Sequence, residues 1–365
     1  MGGRFRRGPG AAWPPLGAGG SGMVTRPVER PVERPVERPV ETPGEALRQS
    51  GAGIGTSPIR TGPAGGGPKR REWPQDRPLD LELVLAPHRR GGGDPAWRMT
   101  PDGAVWRTSR TPDGPGTLRV SLRHGRISGA AWGPGAGWLL ETLPALLGAD
   151  DDPEGLVPAH DVVRVAAGRH AGLRIGRTFR VLEALVPAVL EQKVVTAEAW
   201  RAWRWLLRRY GEPAPGPAPE GMRVFPAPEV WRSIPSWDWH RAGAEAVRAR
   251  TIANAAWHAA KLEAASDSAE ADRLLRVLPG VGVWTSAEVR QRSHGDADAV
   301  SVGDFHLPSL VGWSLARERT DDAGMLRLLA PYRGHRHRVS RLLALCGERP
   351  PARGPRLAAR DFRSF

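Results

Sequence analysis

The chain has 365 residues, 40% of them hydrophobic, which is room for two or three domains and a sizeable core. Its 53 basic residues outnumber its 39 acidic ones by 14, which favours a polyanionic partner over an acidic small molecule. A single cysteine, Cys346, excludes an intrachain disulfide framework and any four-cysteine zinc or iron–sulfur site. The opening Met1-Gly2-Gly3-Arg4 carries no apolar core of signal-peptide length, and no run of 18 apolar residues occurs. A cytoplasmic protein without membrane contact, monomeric by default, is the expectation.

Residues 1–75 are rich in Gly, Pro and Arg and show no apolar periodicity. Arg-Pro-Val-Glu repeats four times between Arg26 and Glu41, and a proline every fourth residue opposes both helix and sheet. This predicts a disordered, low-complexity tail, with Met23 as a second candidate start. Twelve basic and six acidic residues give the tail +6 of the net charge.

From Leu79 the pattern changes. Leu79, Leu81, Leu83 and Leu85 alternate as a half-buried strand would. Further short strands are predicted around Ala104–Arg107, Leu118–Leu122 and Arg126–Ser128, separated by Pro-Asp-Gly-type turns. A helix is predicted over Trp138–Leu147. Residues 76–150 therefore read as a small antiparallel α+β domain.

Residues 151–348 read as helical, with 349–365 as a C-terminal tail. Thr178 is a candidate N-cap for a helix whose buried stripe is Phe179, Leu182, Leu185, Val186, Val189 and Leu190. A second helix, Thr196–Tyr210, carries Trp200, Trp203, Leu206 and Leu207. A Pro-rich loop (211–228) leads to a helix over 229–239 and then one long helix or two over 241–265.

Ala271, Leu274, Leu275 and Leu278 recur at helical spacing, and Pro279 stops that helix. Gly280 and Gly282 permit a tight turn, and from Val283 the helical pattern resumes with Trp284, Ala287 and Val289. Helix, Pro-Gly-Val-Gly turn, helix is the sequence form of a helix-hairpin-helix. The second helix starts with unpaired backbone N–H groups at its positive end, a seat for a phosphate formed by Gly280, Val281, Gly282 and Thr285. A polar loop then leads to Val302-Gly303-Asp304-Phe305-His306, where a carboxylate stands at the start of another helix. Helix capping and chemistry are both open to it.

Here the chain resembles the helix-hairpin-helix DNA glycosylase superfamily, and within it the 3-methyladenine DNA glycosylase II family. The residues that carry the resemblance are Leu278-Pro279-Gly280-Val281-Gly282-Val283-Trp284-Thr285 and, twenty positions after Trp284, Asp304. It covers residues 175–345 well and 79–148 weakly. The fold class it implies is α+β overall: a mostly α helical bundle split by a cleft opposite the hairpin, with the small antiparallel domain in front. The activity it implies is monofunctional hydrolysis of the N-glycosidic bond of alkylated purines in double-stranded DNA, with Asp304 as the catalytic carboxylate. Trp284 stands where bifunctional members place a Schiff-base lysine, so an uncut abasic product is expected.

The same resemblance places Trp284, Tyr332 and Gln192 in the base pocket. It aligns Lys193 with the leucine that serves as a wedge in the bacterial enzyme, a departure that puts the wedge in question. Arg333 and Arg336, with Arg338 and Arg341, read as a phosphate-facing surface. Asp296 and Asp298 read as loop solvation. His335 and His337 cannot share a helix face, so no metal site is expected. The cluster-bearing branch of the superfamily is disfavoured by the lone Cys346, so no cofactor is expected beyond a monovalent cation on the hairpin carbonyls. Two other functions stay open: a non-catalytic helix-hairpin-helix DNA-binding protein, and a glycosylase for deaminated or oxidised bases. Lys193, and Glu288 where the bacterial relative has an aromatic, favour the binder.

Overall fold

Two tight turns fold three strands back on one another: β3 (Val105–Thr111), β4 (Gly114–Arg123) and β5 (Arg126–Trp132). The second turn is His124-Gly125, both with positive φ (49° and 68°), the handedness that matches the twist of the flanking strands. With β1 (Lys69–Pro74) and β2 (Trp97–Met99) they form an antiparallel sheet in the order β1-β5-β4-β3-β2. The computed structural model describes residues 59, 67–348, 350 and 351. The Arg-Pro-Val-Glu repeats, Met23 and most of both expected tails lie outside them. One boundary moves: β1 falls inside the stretch expected to be tail, and Trp73 opposite Ile127 is buried in the sheet's core. The sheet therefore starts at Lys69. Its signal is weak in sequence because the other five residues of KRREWP are charged or proline.

The Leu79–Leu85 stretch is also corrected. It is not a strand but a one-turn helix, α1 (Leu81–Leu85), opened by Asp80, whose carboxylate accepts the Leu83 N–H at 3.0 Å. Leu81, Val84 and Leu85 face the sheet's core, while Leu83 packs against a different, C-terminal core. A short helix lodged between two cores buries residues on opposite sides, which mimics strand alternation. The predicted helix over 138–147 is split into α2 (Ala136–Glu141) and α3 (Leu143–Leu146), with Pro144 in the first turn of the second. Trp138, Leu139, Leu140 and Leu143 close one face of the sheet.

The helical part runs α4 (Asp161–Arg169), α5 (Val181–Leu190), α6 (Thr196–Tyr210), α7 (Pro228–Ser233), α8 (Ser236–Ala242), α9 (Ala246–Trp257), α10 (Ala259–Glu263), α11 (Ser268–Arg276), α12 (Val283–Ser293), α13 (Leu307–Ala316), α14 (Asp322–Leu329) and α15 (Arg336–Cys346). A small hairpin, β6 (Glu212–Pro213) with β7 (Arg223–Val224), interrupts the Pro-rich loop. The helix expected from Thr178 begins at Val181. Phe179 precedes it in a left-handed conformation (φ 53°) and packs toward the sheet's core. No side chain of Arg180 caps α5. Instead Glu263 of α10 accepts the N–H groups of Val181 and Leu182 at 2.9 and 3.0 Å. Burial raises the Glu263 carboxyl above its usual range against the pull of Arg180 and these N–H groups.

Two cores divide the helices. One spans α5 to α12, including Leu185, Trp231, Leu275, Val281 and Val289. The other joins α4, α13, α14 and α15 through Val163, Val311, Met325, Tyr332 and Leu343. The loop from α12 to α13 crosses the seam between them. Glu183 of α5 locks the first core to the sheet, accepting Arg107 Nη2 at 2.9 Å, Ser109 Oγ at 2.8 Å and the Arg110 N–H at 2.6 Å. Among the described residues no helix is long and apolar enough to cross a membrane.

Candidate active site

Asp267 caps α11 by accepting the Glu270 N–H at 2.8 Å, and α11 ends at Arg276. The turn that follows is wound by Leu278 N–H to Leu275 O at 3.1 Å and Val281 N–H to Leu278 O at 3.0 Å. Gly280 is required there twice over. Its φ is 88°, and a Cβ would sit 2.2 Å from Thr251 Oγ1 of α9. Gly282 precedes α12 with no side chain to cap it, so the N–H groups of the first turn lack intrahelical acceptors. Gly280 and Gly282 are exposed; Val281 and Thr285 are buried. Of the expected backbone-binding residues, then, the two glycines stand open, whereas Val281 plugs the first core and its N–H is already used. Thr285 offers at most its N–H.

Gln192, expected at the base pocket, is turned to the hairpin. Its Nε2 donates to Gly280 O at 2.9 Å and to Thr285 Oγ1 at 2.8 Å, bracing the hairpin from the end of α5. Arg248 Nη1 in turn donates to Gln192 O at 3.1 Å. Lys193, beside it, is exposed and left-handed at φ 55°. The hairpin carbonyls each accept a bond: Leu278 O from Val281, Pro279 O from Thr251 Oγ1 and Gly280 O from Gln192. Each keeps a second lone pair, so these oxygens fit a monovalent cation.

Across the seam, Trp284 Nε1 donates to Asp304 Oδ2 at 3.2 Å. Asp304 Oδ1 accepts the N–H groups of His306 and Leu307, both at 2.8 Å, at the start of α13. The capping role is therefore present in this side chain. One oxygen caps the helix; the other is turned to the tryptophan, at a half-buried position. The loop is held from behind by Asp322, whose carboxylate oxygens each lie 3.1 Å from the Gly303 N–H. Sequence reasoning missed that clamp. Its only signal was an aspartate next to Asp321, which caps α14 by accepting the Gly324 N–H at 2.8 Å.

Trp284, Glu288 and Arg292 lie four residues apart and so line one face of α12. Glu288 accepts Ser301 Oγ at 2.5 Å and Arg292 Nη1 at 2.8 Å, and Arg292 Nε reaches Pro87 O at 3.1 Å. Glu288 is thus a neutralised partner, tied to the loop that carries Asp304. Beyond it, burial and then the charges of Arg107, Arg292, Arg90 and Arg341 push the His88 imidazole well below its usual value. Burial and Arg341, Arg292 and Arg338 do the same to His337. A separate cavity of about 250 Å³, walled in part by Leu156, Leu173, Leu342 and Arg174, includes neither Trp284 nor Asp304 in its lining.

The residues expected from α15 and its approach are largely corrected. Tyr332 is 1% exposed and sits in the C-terminal core, its Oη 2.6 Å from His160 Nδ1. In the free protein its ring packs within that core. Burial raises its phenol above the ordinary value. Arg336 is held by Asp298, with Nε at 2.8 Å and Nη2 at 2.5 Å. Asp298 also accepts the N–H groups of Gly334 and Arg336. Burial opposes its ionisation, but Arg336 and these N–H groups outweigh that, and its carboxyl lies below the usual range. Arg338 is buried and paired with Asp151, and Arg341 donates to Leu83 O at 2.6 Å. Burial and neighbouring arginines lower Arg341 to about 10. Only Arg333 of the four remains at the surface. Asp296 is likewise structural, accepting Arg290 Nη1 at 2.6 Å and the N–H groups of Asp298 and Ala299 at 2.9 Å. Among the described residues, no group of three or more His, Cys, Asp or Glu side chains is placed to hold a metal.

A hairpin braced on one helical core, presenting a tryptophan to an aspartate that starts a helix of the other, defines the helix-hairpin-helix DNA glycosylase fold. The chain resembles that superfamily in architecture and, within it, 3-methyladenine DNA glycosylase II in sequence. No protein-family model matches it. It is 34% identical over 169 residues to the probable bifunctional transcriptional activator/DNA repair enzyme AlkA of two Mycobacterium tuberculosis strains. That match covers 44% of this chain and 34% of the relative, so the chain spans about a third of those proteins. Among solved structures, the 3-methyladenine DNA-glycosylase from Archaeoglobus fulgidus superposes with a TM-score of 0.61 at 16% identity, over 75% of this chain and 97% of that one. The Clostridium acetobutylicum 8-oxoguanine glycosylase/lyase with double-stranded DNA gives 0.61 at 11%, over 80% and 97%. MBOgg1 with a low-affinity DNA ligand gives 0.60 at 16%, also over 80% and 97%.

Proposed function

We propose that this protein is a DNA base-excision glycosylase that everts a damaged nucleotide from double-stranded DNA and hydrolyses its N-glycosidic bond. The observation that carries the reading is the Asp304 carboxylate, held between the Trp284 indole and the first N–H groups of α13, beside an open hairpin. Glycines 280 and 282 leave first-turn N–H groups free to take a phosphate of the backbone. Eversion costs roughly a few kcal/mol and is cheapest at damaged pairs. As the C1′–N bond breaks, its electron pair leaves with the base and positive charge grows at C1′. Asp304 stabilises that charge, and as the water oxygen bonds to C1′ the carboxylate takes the proton that the water gives up. Position 284 carries an indole where bifunctional relatives carry an amine, so no Schiff base forms and the abasic strand stays intact.

An alkylated purine is the first substrate class for this site. A methylated ring is already cationic and departs without an acid, so one carboxylate is enough. One observation favours a second reading, a neutral deaminated or oxidised base. The stripe from Trp284 through Glu288 ends at Arg292 among further arginines, which would repel a cation at that end. The deciding assay uses duplexes that each carry one defined lesion (7-methylguanine, hypoxanthine or 8-oxoguanine). Base release is measured with and without later alkali. Release is expected with strand breaks only after alkali; breaks without alkali would overturn the monofunctional assignment.

Lys193 is the proposed wedge. A non-glycine residue in the left-handed region costs roughly 1–2 kcal/mol, and such strain concentrates where a side chain is needed. Lys193→Gly is expected to hold or raise the melting temperature while lowering the single-turnover rate on lesion duplexes about tenfold, the order of one missing stacking or gap-filling interaction. An unchanged rate would remove Lys193 from the wedge role.

A further inference from the structure

Resting on the glycosylase reading, we propose that Phe305 is a second aromatic contact to DNA, stacking on the base beside the everted nucleotide rather than on the lesion. Phe305 is 83% exposed, the most exposed of the large apolar side chains described, and it immediately follows the candidate catalytic carboxylate. A lone exposed apolar residue is ordinary on a protein surface. This one differs in standing on a backbone pinned on both sides. Gly303 is clamped by Asp322 on one side of it, and Asp304 Oδ1 fixes the N–H groups of His306 and Leu307 on the other. Its ring meets the His306 ring edge-on, with centroids 4.9 Å apart. Local hydrogen bonding therefore fixes the backbone that carries an exposed apolar ring next to the candidate reacting centre.

Its placement fits a duplex flank. Lys193 and Phe305 stand at opposite ends of one relay around the start of α12. Gln192 braces Thr285, the neighbouring Trp284 bonds Asp304, and Phe305 follows. Val283, at the same helix start, is also exposed. When the hairpin grips the backbone and the lesion is turned toward Asp304, the strand on either side must pass these two ends. An everted base leaves its neighbour with one face bare. Every base has a π-face, so a phenyl ring there holds the neighbour in place whatever its identity. Lys193 then serves the gap and Phe305 the strand edge.

The test is a cycle between Phe305→Ala and removal of the neighbouring base. Lesion duplexes are built with an intact base, or an abasic tetrahydrofuran residue, immediately 5′ or 3′ of the lesion. Affinity is measured in an Asp304→Asn background, so binding is read without turnover. With both neighbours intact, Phe305→Ala is expected to weaken binding about tenfold, within the range seen when a base–aromatic stack is truncated. That penalty should vanish when one particular neighbour is missing, and Phe305→Trp should keep the affinity of the unmodified side chain. The melting temperature should not move, because an exposed ring buries nothing in the free protein. A penalty that persists with either neighbour absent, or no penalty at all, would overturn the proposal. Absence of base release by the unmodified protein from every lesion would instead defeat the glycosylase reading, which the binding cycle does not measure.

Discussion

Asp304→Asn is expected to lower base release by about 10³-fold or more, while leaving affinity for lesion duplexes unchanged or higher. The size follows from removing the single anion placed at the developing cation, which takes away both electrostatic stabilisation and assistance to the attacking water. Folding should survive the change. Asn keeps the oxygen that caps α13 through His306 and Leu307, since asparagine and aspartate cap helices about equally well. It cannot keep the hydrogen bond that Oδ2 accepts from the Trp284 indole, because an amide nitrogen there faces another donor. Single-turnover base release and duplex affinity, measured on the same preparation, check both halves. A variant within tenfold of the unmodified protein would make Asp304 a cap and nothing more. If the unmodified protein binds lesion duplexes tightly and releases no base, the non-catalytic DNA-binding reading takes over.

The largest effect on stability should come from Asp151→Ala. Asp151 and Arg338 form an ion pair whose side chains are only 4% and 2% exposed, and Asp151 also accepts the Ile175 N–H at 2.8 Å. Arg338 Nη1 has no partner even in the intact protein. Removing the carboxylate leaves a buried guanidinium uncompensated, a change that destabilises by about 3–5 kcal/mol. A melting temperature lower by roughly 5 °C is the corresponding shift for a chain of this size. The double variant Asp151→Leu with Arg338→Met should recover most of the loss, since replacing both members of a buried pair is often neutral. Thermal melts of the two variants decide it. A drop below 1 °C in the single variant would mean that water reaches the pair. The pair also matters for the site. Arg338 donates its N–H to Ala297 O, and Asp298 holds the start of α15, so the loop that delivers Asp304 is anchored on the helix that Asp151 secures.

The hairpin was legible residue by residue, since Pro279, Gly280 and Gly282 act through their own backbone geometry and the flanking apolar period needs no knowledge of the rest. The same holds for α6, whose predicted bounds match, and for Asp304 at the head of α13. Where the sequence misled, a partner distant in the chain decided the outcome. Leu79–Leu85 alternates like a strand because a short helix there faces two cores at once. Gln192 turned to the hairpin because Gly280 and Thr285, 88 and 93 residues on, present acceptors to it. Tyr332 and the arginines of α15 looked like a ligand-facing set. An arginine's chemistry is the same whether it meets a phosphate or a carboxylate, and Asp151 and Asp298 had already claimed two of them.

The sequence alone determined the hairpin turn and the acid that caps α13, because each is set by interactions within a few residues. Only the tertiary structure decided which polar groups were left over for a ligand. A hydrogen-bond donor is free only once every acceptor in reach is known, and those acceptors come from anywhere along the chain.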